Sequence, residues 1–432
     1  MKIGMVVEDS GLYDIDFSHV NEGNPGVGGT VYEEVLLAYT LTKNNEATVV
    51  LYVHNNNKYF DGVKIVCINS DAELLQDAAK NELDILLFCT GKGSKWYETI
   101  ACNGIKCVAW VHGFLNYYEL KDIKETEQIK RVVFVGENMY YSYIADDIIK
   151  KSVYIYNMFE PQFSKHRDCY NHDICYLGAL NRYKGFHVLA KAWPKVLEHV
   201  PDAQLYVMGK GNLYNRNSEL GKYEIAESNY ERKFMKYLVD ESGRIIQSVH
   251  FLGNIGKEKA ELISKMCAGV VNPTAITETF CISAIEIEAC GVPICTKGRY
   301  GLLDTVINGQ TGLFSNNSKD LANNIIRLLK DKELNNTMST NAIAFVQKFA
   351  PDNLIAEWTR VFDEVLCDKE AALHCDKIQA QHVPQLKKML YYLRIKKGFR
   401  WFPSFIKFEY FFKRMGRVYF RDVIYHYTGK GV

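Results

Sequence analysis

The sequence predicts an α/β protein made of two doubly wound parallel-sheet domains, followed by a basic and aromatic C-terminal extension. Three observations predict it. Short apolar runs alternate with longer segments of helical period along most of the chain. The runs are apolar at nearly every position, as strands covered on both faces of a parallel sheet must be. They also form two series, and 432 residues exceed what one ordinary core organises.

In the first series the strand candidates are IGMVV (3–7), TVVLYV (48–53), DILLFC (84–89), KCVAWVH (106–112), RVVFVG (131–136) and SVYIYN (152–157). In the second they are ICYLGAL (174–180), QLYVMG (204–209), SVHFLG (248–253), AGVVNP (268–273) and VPICTK (292–297). The join falls near 158–172, so we expect a first Rossmann-like domain over 1–165 and a second over 166–345. APDNLIAEWTRVFDEVL (350–366) sets Leu354, Ile355, Trp358, Val361, Phe362 and Val365 at helical spacing. It predicts a closing helix over 346–366, and 367–432 forms the tail. In doubly wound folds ligands sit beyond the carboxyl ends of the strands, so the chemistry is sought in the loops that follow them.

Composition is ordinary for a globular chain, 47% hydrophobic and 24% charged, with a net charge of +1. The distribution is not even. Residues 385–432 carry 12 Lys or Arg against 2 acids, which leaves everything before them net acidic. The 12 cysteines are scattered without a CxxC pair, and several lie in apolar strand runs. That reads as reduced, buried thiols in a cytosolic protein rather than a disulfide frame or a zinc site. The opening MKIGMVVEDS is too short an apolar run for a signal peptide and reads as the first strand. No run approaches the ~18 apolar residues of a membrane span.

Four loop stretches stand out. PGVGGTVYEE (25–34) follows the first strand and opens a helix. Thr30 with Glu33 has the pattern of a capping box, which would start the helix at about Val31. Gly28 and Gly29 let the backbone approach a ligand, or simply make a tight turn. CTGKGSKW (89–96) lacks the upstream glycine of a phosphate-binding loop and reads as an ordinary loop. GALNRYKGFHVLAKAW (178–193) places Arg182 and Lys184 between a strand and a helix. There a cation can hold a phosphate, or can be a solvated loop residue. VVNPTAITETF then leads into CISAIEIEACG, a short helix beginning near Cys281 and stopped by Gly291 and Pro293. Its free N–H groups would point into the cleft beside Glu278. Glu286 can face the same cleft and accept hydrogen bonds from a sugar diol, or be a solvated residue. Glu288 is expected to be solvated. DID (Asp14–Asp16) reads as loop chemistry rather than a metal site.

The stretch ETFCISAIEIEACGVPICTKGRYGLLDTVINGQTGLF resembles the E-x7-E signature of glycosyltransferase family 4, retaining enzymes of the GT-B architecture. LGALNRYKG, PDAQLYVMGKG and VHFLGN upstream, and VGGTVYEEVLLAYTL, VAWVHGF and YIYNMFE in the first half, resemble the family's other blocks in the same order. The resemblance spans residues 1–366. It implies two Rossmann-like domains facing a cleft, the acceptor on the first and a nucleotide-sugar donor on the second. It implies that Glu278 lies near the donor sugar and Glu286 bonds the ribose. Phe280, Cys281 and Ile282 would form the turn whose N–H groups meet the diphosphate, with Cys281 where a glycine is usual. Lys184 matches the diphosphate-binding lysine, Gly28 and Gly29 the glycine pair facing the donor phosphate, Gly209 a donor-site glycine, and His112 the histidine near the reacting end of the sugar. Asp304 stands where a glutamate is common. The family's arginine after the glycine of the LGALNRYKG block is Ala179 here, and Arg182 is the candidate to replace it.

The implied activity is retaining, metal-independent hexosyl transfer from a nucleoside-diphosphate sugar, with no bound cofactor. The departing phosphate would be stabilised by Lys184, the Gly28–Gly29 backbone and the helix start after Glu278. Rival readings keep the fold but change the reaction, to a nucleotide-sugar epimerase or a phosphorylase, or make the chain a non-catalytic nucleotide-sugar-binding subunit. Residues 212–233 read as an insertion. The tail, 386–432, alternates basic residues with Tyr, Phe and Trp. It can pack on the body as extra core, or lie on an anionic cytoplasmic membrane. Nucleic acid is not expected. The membrane reading fits a lipid-linked saccharide acceptor in polysaccharide assembly, on the cytoplasmic face.

Overall fold

A computed structural model describes residues 1–159, 170–211, 219–256, 258–372, 385–399, 401–404, 406–407 and 410–411. The expected domain join (165/166), part of the 212–233 insertion and most of the tail lie outside the described residues. The first sheet contains β1 (Lys2–Val6), β2 (Thr48–Val53), β3 (Lys64–Cys67), β4 (Ile85–Cys89), β5 (Lys106–Val111), β6 (Ile129–Phe134) and β7 (Ser152–Tyr154). Its order is β3-β2-β1-β4-β5-β6-β7, and its pairs are parallel, for example Met5 with Leu51 and with Leu87. The second sheet contains β8 (Asp173–Leu177), β9 (Gln204–Met208), β10 (Val249–Gly253), β11 (Ala268–Val270), β12 (Ile294–Thr296) and β13 (Gly312–Phe314). Its order is β10-β9-β8-β11-β12-β13, again parallel. In each sheet the order reverses once, at β1/β4 and at β8/β11, and such a switch point opens a crevice beyond the strand ends.

All eleven predicted strands form. The apolar runs are buried on both faces: Val49–Val53 of β2, Ile85–Cys89 of β4 and Cys107–Val111 of β5 have no exposed residue. Two strands escaped the sequence. β3 is an edge strand with a half-exposed KIVC pattern, and β13 is only three residues long.

The closing helix runs Pro351–Leu366, and its buried residues are the six predicted ones. It returns to the first domain. Trp358 meets Trp110 with ring centroids 4.8 Å apart, the buried Arg131 pairs with Glu364 at 3.1 Å, and Lys106 Nζ donates to the carbonyls of Val365 and Leu366 that the helix end leaves open.

Three local expectations fail. The helix after the glycine pair starts at Gly29, capped by Gly28 without a side-chain bond. Thr30 and Glu33 therefore form no capping box; Glu33 is buried and accepts from Met158 N at 3.0 Å. Glu288 is fully buried rather than solvated, because the helix Ile282–Ala289 is covered by the helix Lys332–Val346 and by the sheet. Of the ten described cysteines, seven are buried, but Cys67, Cys102 and Cys367 are exposed.

The described part of the tail divides between two fates. A helix, Gln385–Tyr391, continues into a π-turn, Tyr392–Lys396. Leu390, Tyr391 and Arg394 are buried, Arg394 pairs with Asp147 at 2.7 Å, and Lys387 Nζ donates to Ser142 O. Tyr410 stacks on Tyr117 at 4.5 Å. Leu386, Met389, Tyr392, Phe399, Trp401 and Phe411 stay exposed.

Candidate functional site

The switch point of the second sheet brings the loops after β8 and β11 together. In the first, Asn181 Oδ1 accepts from the N–H groups of Tyr183 and Lys184, a local turn that asparagine favours. Tyr176 OH donates to Lys184 O at 2.8 Å. Gly185 caps the helix Phe186–His199 with φ +73°, and a Cβ there would strike the Thr274 side chain. The Lys184 backbone is thus fixed on both sides, and its Nζ reaches Glu278 Oε2 at 2.8 Å.

The second loop, 271–281, carries Glu278 into the cleft through an unusual backbone. Asn272, Ala275 and Thr277 all have positive φ, at 29°, 58° and 59°. For a β-branched threonine this is a strained conformation that its surroundings must enforce. Glu278 is 5% exposed. Its Oε2 also accepts from Asn272 Nδ2 at 2.7 Å, and its carbonyl accepts from Gly301 N. Gly301 has to be a glycine, since a Cβ would meet the Thr279 carbonyl.

After Glu278 the loop touches the first domain. Thr279 Oγ1 donates to His112 O at 2.6 Å, and Phe280 is buried against Tyr156 and Phe349. Cys281 is the N-cap of the helix Ile282–Ala289, its thiol raised well above the usual range by burial. Ile282 Cδ1 lies 3.2 Å from where a Gly29 Cβ would stand, so that glycine permits a close approach of the two domains. One turn into the helix, Glu286 is 4% exposed and its Oε1 accepts from Lys259 Nζ at 2.6 Å. The neighbouring Glu288 carboxyl is pushed well above its ordinary pKa by complete burial, with Thr311 beside it.

On the first-domain side, His112 follows β5. Burial pushes its imidazole down to about 3, so it is neutral at physiological pH. Its ring packs on Trp110 at 4.5 Å, and Nε2 is enclosed with no hydrogen-bond partner among the described residues. Gly28 borders open space. Asp304 accepts from Asn138 N at 3.1 Å and Asn138 Nδ2 at 2.7 Å across the domain boundary, and burial raises its carboxyl to about 7.

The structure therefore brings Lys184, Glu278, Phe280, Cys281, Ile282 and Gly29 into one assembly, with the His112 backbone against it. Arg182 lies apart from it, exposed and folded over the Tyr183 ring at 4.7 Å. Gly209 has a packing reason of its own: a Cβ there would strike Gly178 O. Asp16 accepts from Ser18 and Lys58 and finishes a turn. Sequence reasoning missed Asn272, Thr279 and Lys259. Asn272 sits at a strand end before a proline, a position that could have signalled it; Lys259, on the short helix Lys259–Ile263, has no motif around it. Chemically the assembly offers a cation a quarter exposed, an adjacent buried carboxylate, and the free N–H groups of a helix start.

Residues 163–345 match the family model described as glycosyl transferases group 1. Over 222 residues the chain is 23% identical to an uncharacterized glycosyltransferase of Methanocaldococcus jannaschii, covering 51% of this chain and 56% of that protein. Over 180 residues it is 28% identical to the D-inositol 3-phosphate glycosyltransferase of Corynebacterium aurimucosum, covering 41% and 39%. The chain thus spans about half or less of the length of the curated relatives it matches. The structure superposes on that of Anabaena HepE in complex with UDP and glucose with a TM-score of 0.63 and 16% identity, covering 84% of this chain and 100% of that one. The architecture is GT-B: two Rossmann-like sheets facing each other across a cleft.

Proposed function

We propose that the protein is a retaining, metal-independent hexosyltransferase that moves a sugar from a nucleoside-diphosphate sugar to a saccharide acceptor. The observation that carries this reading is the Lys184–Glu278 contact at 2.8 Å, made by the two loops that flank the switch point of the second sheet. Breaking a sugar–diphosphate bond puts negative charge on the leaving phosphate and positive charge on the sugar ring. Lys184 and the N–H groups at the start of the helix Ile282–Ala289 stabilise the first, and the Glu278 carboxylate faces the second. Glu286, held in place by Lys259, keeps acceptor capacity for the ribose hydroxyls. Neutral His112, whose carbonyl accepts from Thr279 beside Glu278, stands at the reacting end of the sugar in this reading. On a same-face route to retention, the departing phosphate takes the acceptor's proton, and no protein nucleophile is involved. Support comes from the match to glycosyl transferases group 1 and from the likeness to a fold crystallised with UDP and glucose.

The test is product analysis. Product should form only when a saccharide acceptor is supplied, which separates transfer from epimerisation, and should keep the anomeric configuration of the donor. It should also survive a chelator such as EDTA. An inverted anomeric centre by NMR, or metal-reversible loss of activity, would sink the reading.

We further propose that the acceptor is lipid-linked, in polysaccharide assembly, and that the tail holds the protein on the cytoplasmic membrane face. Exposed Leu386, Met389, Tyr392 and Trp401 lie among exposed Lys396, Lys397 and Lys407, the mixture that suits an anionic headgroup layer. Leu390, Tyr391 and Arg394 anchor the segment to the first domain, so substitutions are a cleaner test than deletion. The triple variant Leu386→Glu, Met389→Glu, Trp401→Glu should lose cosedimentation with anionic liposomes at low salt. Equal binding by the variant refutes the idea.

A further inference from the structure

We propose that a basic cavity behind the Glu278 loop is a subsite for a phosphoryl group carried by the acceptor, an inference that rests on the transfer reading above. The cavity, about 450 Å³, opens at the carboxyl edge of the second sheet, and Lys191, Lys297 and Arg299 line it. Lys191 comes from the helix Phe186–His199. The other two come from the turn after β12, closed by Arg299 N donating to Lys297 O at 2.9 Å. No Asp or Glu is among the described residues that line it. His187, also on the wall, adds no charge: burial and the nearby Lys233 push it down to about 4.

Three positions tie this cavity to the reaction centre. Thr274 and Ile276 line it, and both belong to the strained loop that ends in Glu278. The cavity and the Lys184–Glu278 pair are therefore the two sides of one loop. At the outer lip, the Arg299 guanidinium lies 4.5 Å over the Tyr300 ring. Tyr300 is itself left-handed, with φ +54°, a genuine outlier for a bulky residue. Its ring meets Phe114 at 5.5 Å, across the cleft and two residues beyond His112. A group bound in the cavity would thus project a sugar toward the mouth where transfer takes place.

The chemistry favours a phosphoryl group. Three cations around one cavity, without an acid, repel one another until an anion enters. A phosphoryl group offers three acceptor oxygens and up to two negative charges, enough for the lysines as point charges and the arginine as a fork. A carboxylate has one charge and two oxygens. A larger cavity of about 570 Å³, at His199, Arg327, Lys330 and Lys332, has no such imbalance, because Asp331 and Glu333 share its wall.

Calorimetric titration with inorganic pyrophosphate tests the proposal. The full-length protein should bind two equivalents, one at Lys184 and one in the cavity. The double variant Lys297→Ala, Arg299→Ala should lose one, its affinity falling about tenfold or more with two charge-assisted contacts removed. Lys184→Ala should lose the other. Two equivalents in the double variant overturn the subsite. Two equivalents in Lys184→Ala, with one lost in the double variant, overturn the donor-site assignment instead. In Lys184→Ala, α-D-glucose 1-phosphate should displace pyrophosphate from the cavity, and D-glucuronate at the same concentration should not. Displacement by glucuronate, or failure of α-D-glucose 1-phosphate to displace pyrophosphate, refutes a phosphorylated acceptor.

Discussion

The loop 271–281 and the helix Ile282–Ala289 adjoin in sequence, yet they hold their carboxylates by different means. The loop has three residues in left-handed conformations and places Glu278 by backbone strain, with Lys184 and Asn272 both bonded to one oxygen. The helix places Glu286 and Glu288 by register alone. Two residues apart, they meet different surroundings: Lys259 awaits the first, and complete burial the second. A carboxylate's role here is thus decided by whether a cation reaches it, and the loop's geometry is what lets Lys184 arrive.

Breaking the loop's pair should have the largest effect. Lys184→Ala should lower turnover by roughly 10²-fold or more while the circular dichroism spectrum stays native; unchanged turnover in steady-state assays would remove Lys184 from the site. Breaking the helix's pair should act on stability first. Lys259→Ala leaves Glu286 buried without its cation, which should lower unfolding free energy by about 3 kcal/mol in denaturant titrations. A loss no larger than that of an exposed lysine would mean the pair is solvated.

Glu288 sharpens the contrast through pH. Its folded-state pKa is raised above the unfolded value, so its contribution to stability is full below about 4.5 and lost as pH rises toward the raised value. Glu288→Gln should flatten the fall of Tm with rising pH without changing turnover, and an unaltered slope would show the carboxyl to be accessible to water. The smallest effect belongs to Thr277→Gly. Relief of its left-handed strain should raise stability by about 1 kcal/mol, net of the glycine's greater unfolded-state entropy. A loss of stability would mean that the threonine side chain holds the loop.

The sheets were legible because strands buried on both faces must be apolar throughout, and β3 was missed because an edge strand need not be. The buried face of the closing helix was legible residue by residue, since it is core, although the helix starts at Pro351 and not at 346. In the site, Glu278, Glu286 and Lys184 could be picked out from matching motifs. Their partners could not: Lys259 is distant in sequence and sits in no pattern, and the Thr279–His112 contact depends on how the two domains meet. The Thr30–Glu33 pattern misled because the glutamate's interior bond to Met158 won over the local cap. The solvated reading of Glu288 failed because a charged residue on a short helix usually faces water, and here both sides of the helix are covered.

The return of Pro351–Leu366 to the first domain has a consequence for synthesis. Trp110 and Arg131 are translated early, but Trp358 and Glu364, which cover and pair them, emerge more than two hundred residues later. At about 5–20 residues per second, the amino-terminal half waits some tens of seconds on the ribosome with part of its core unroofed. The helix Pro351–Leu366 is therefore a clasp that the nascent first domain lacks until the whole second domain has left the tunnel.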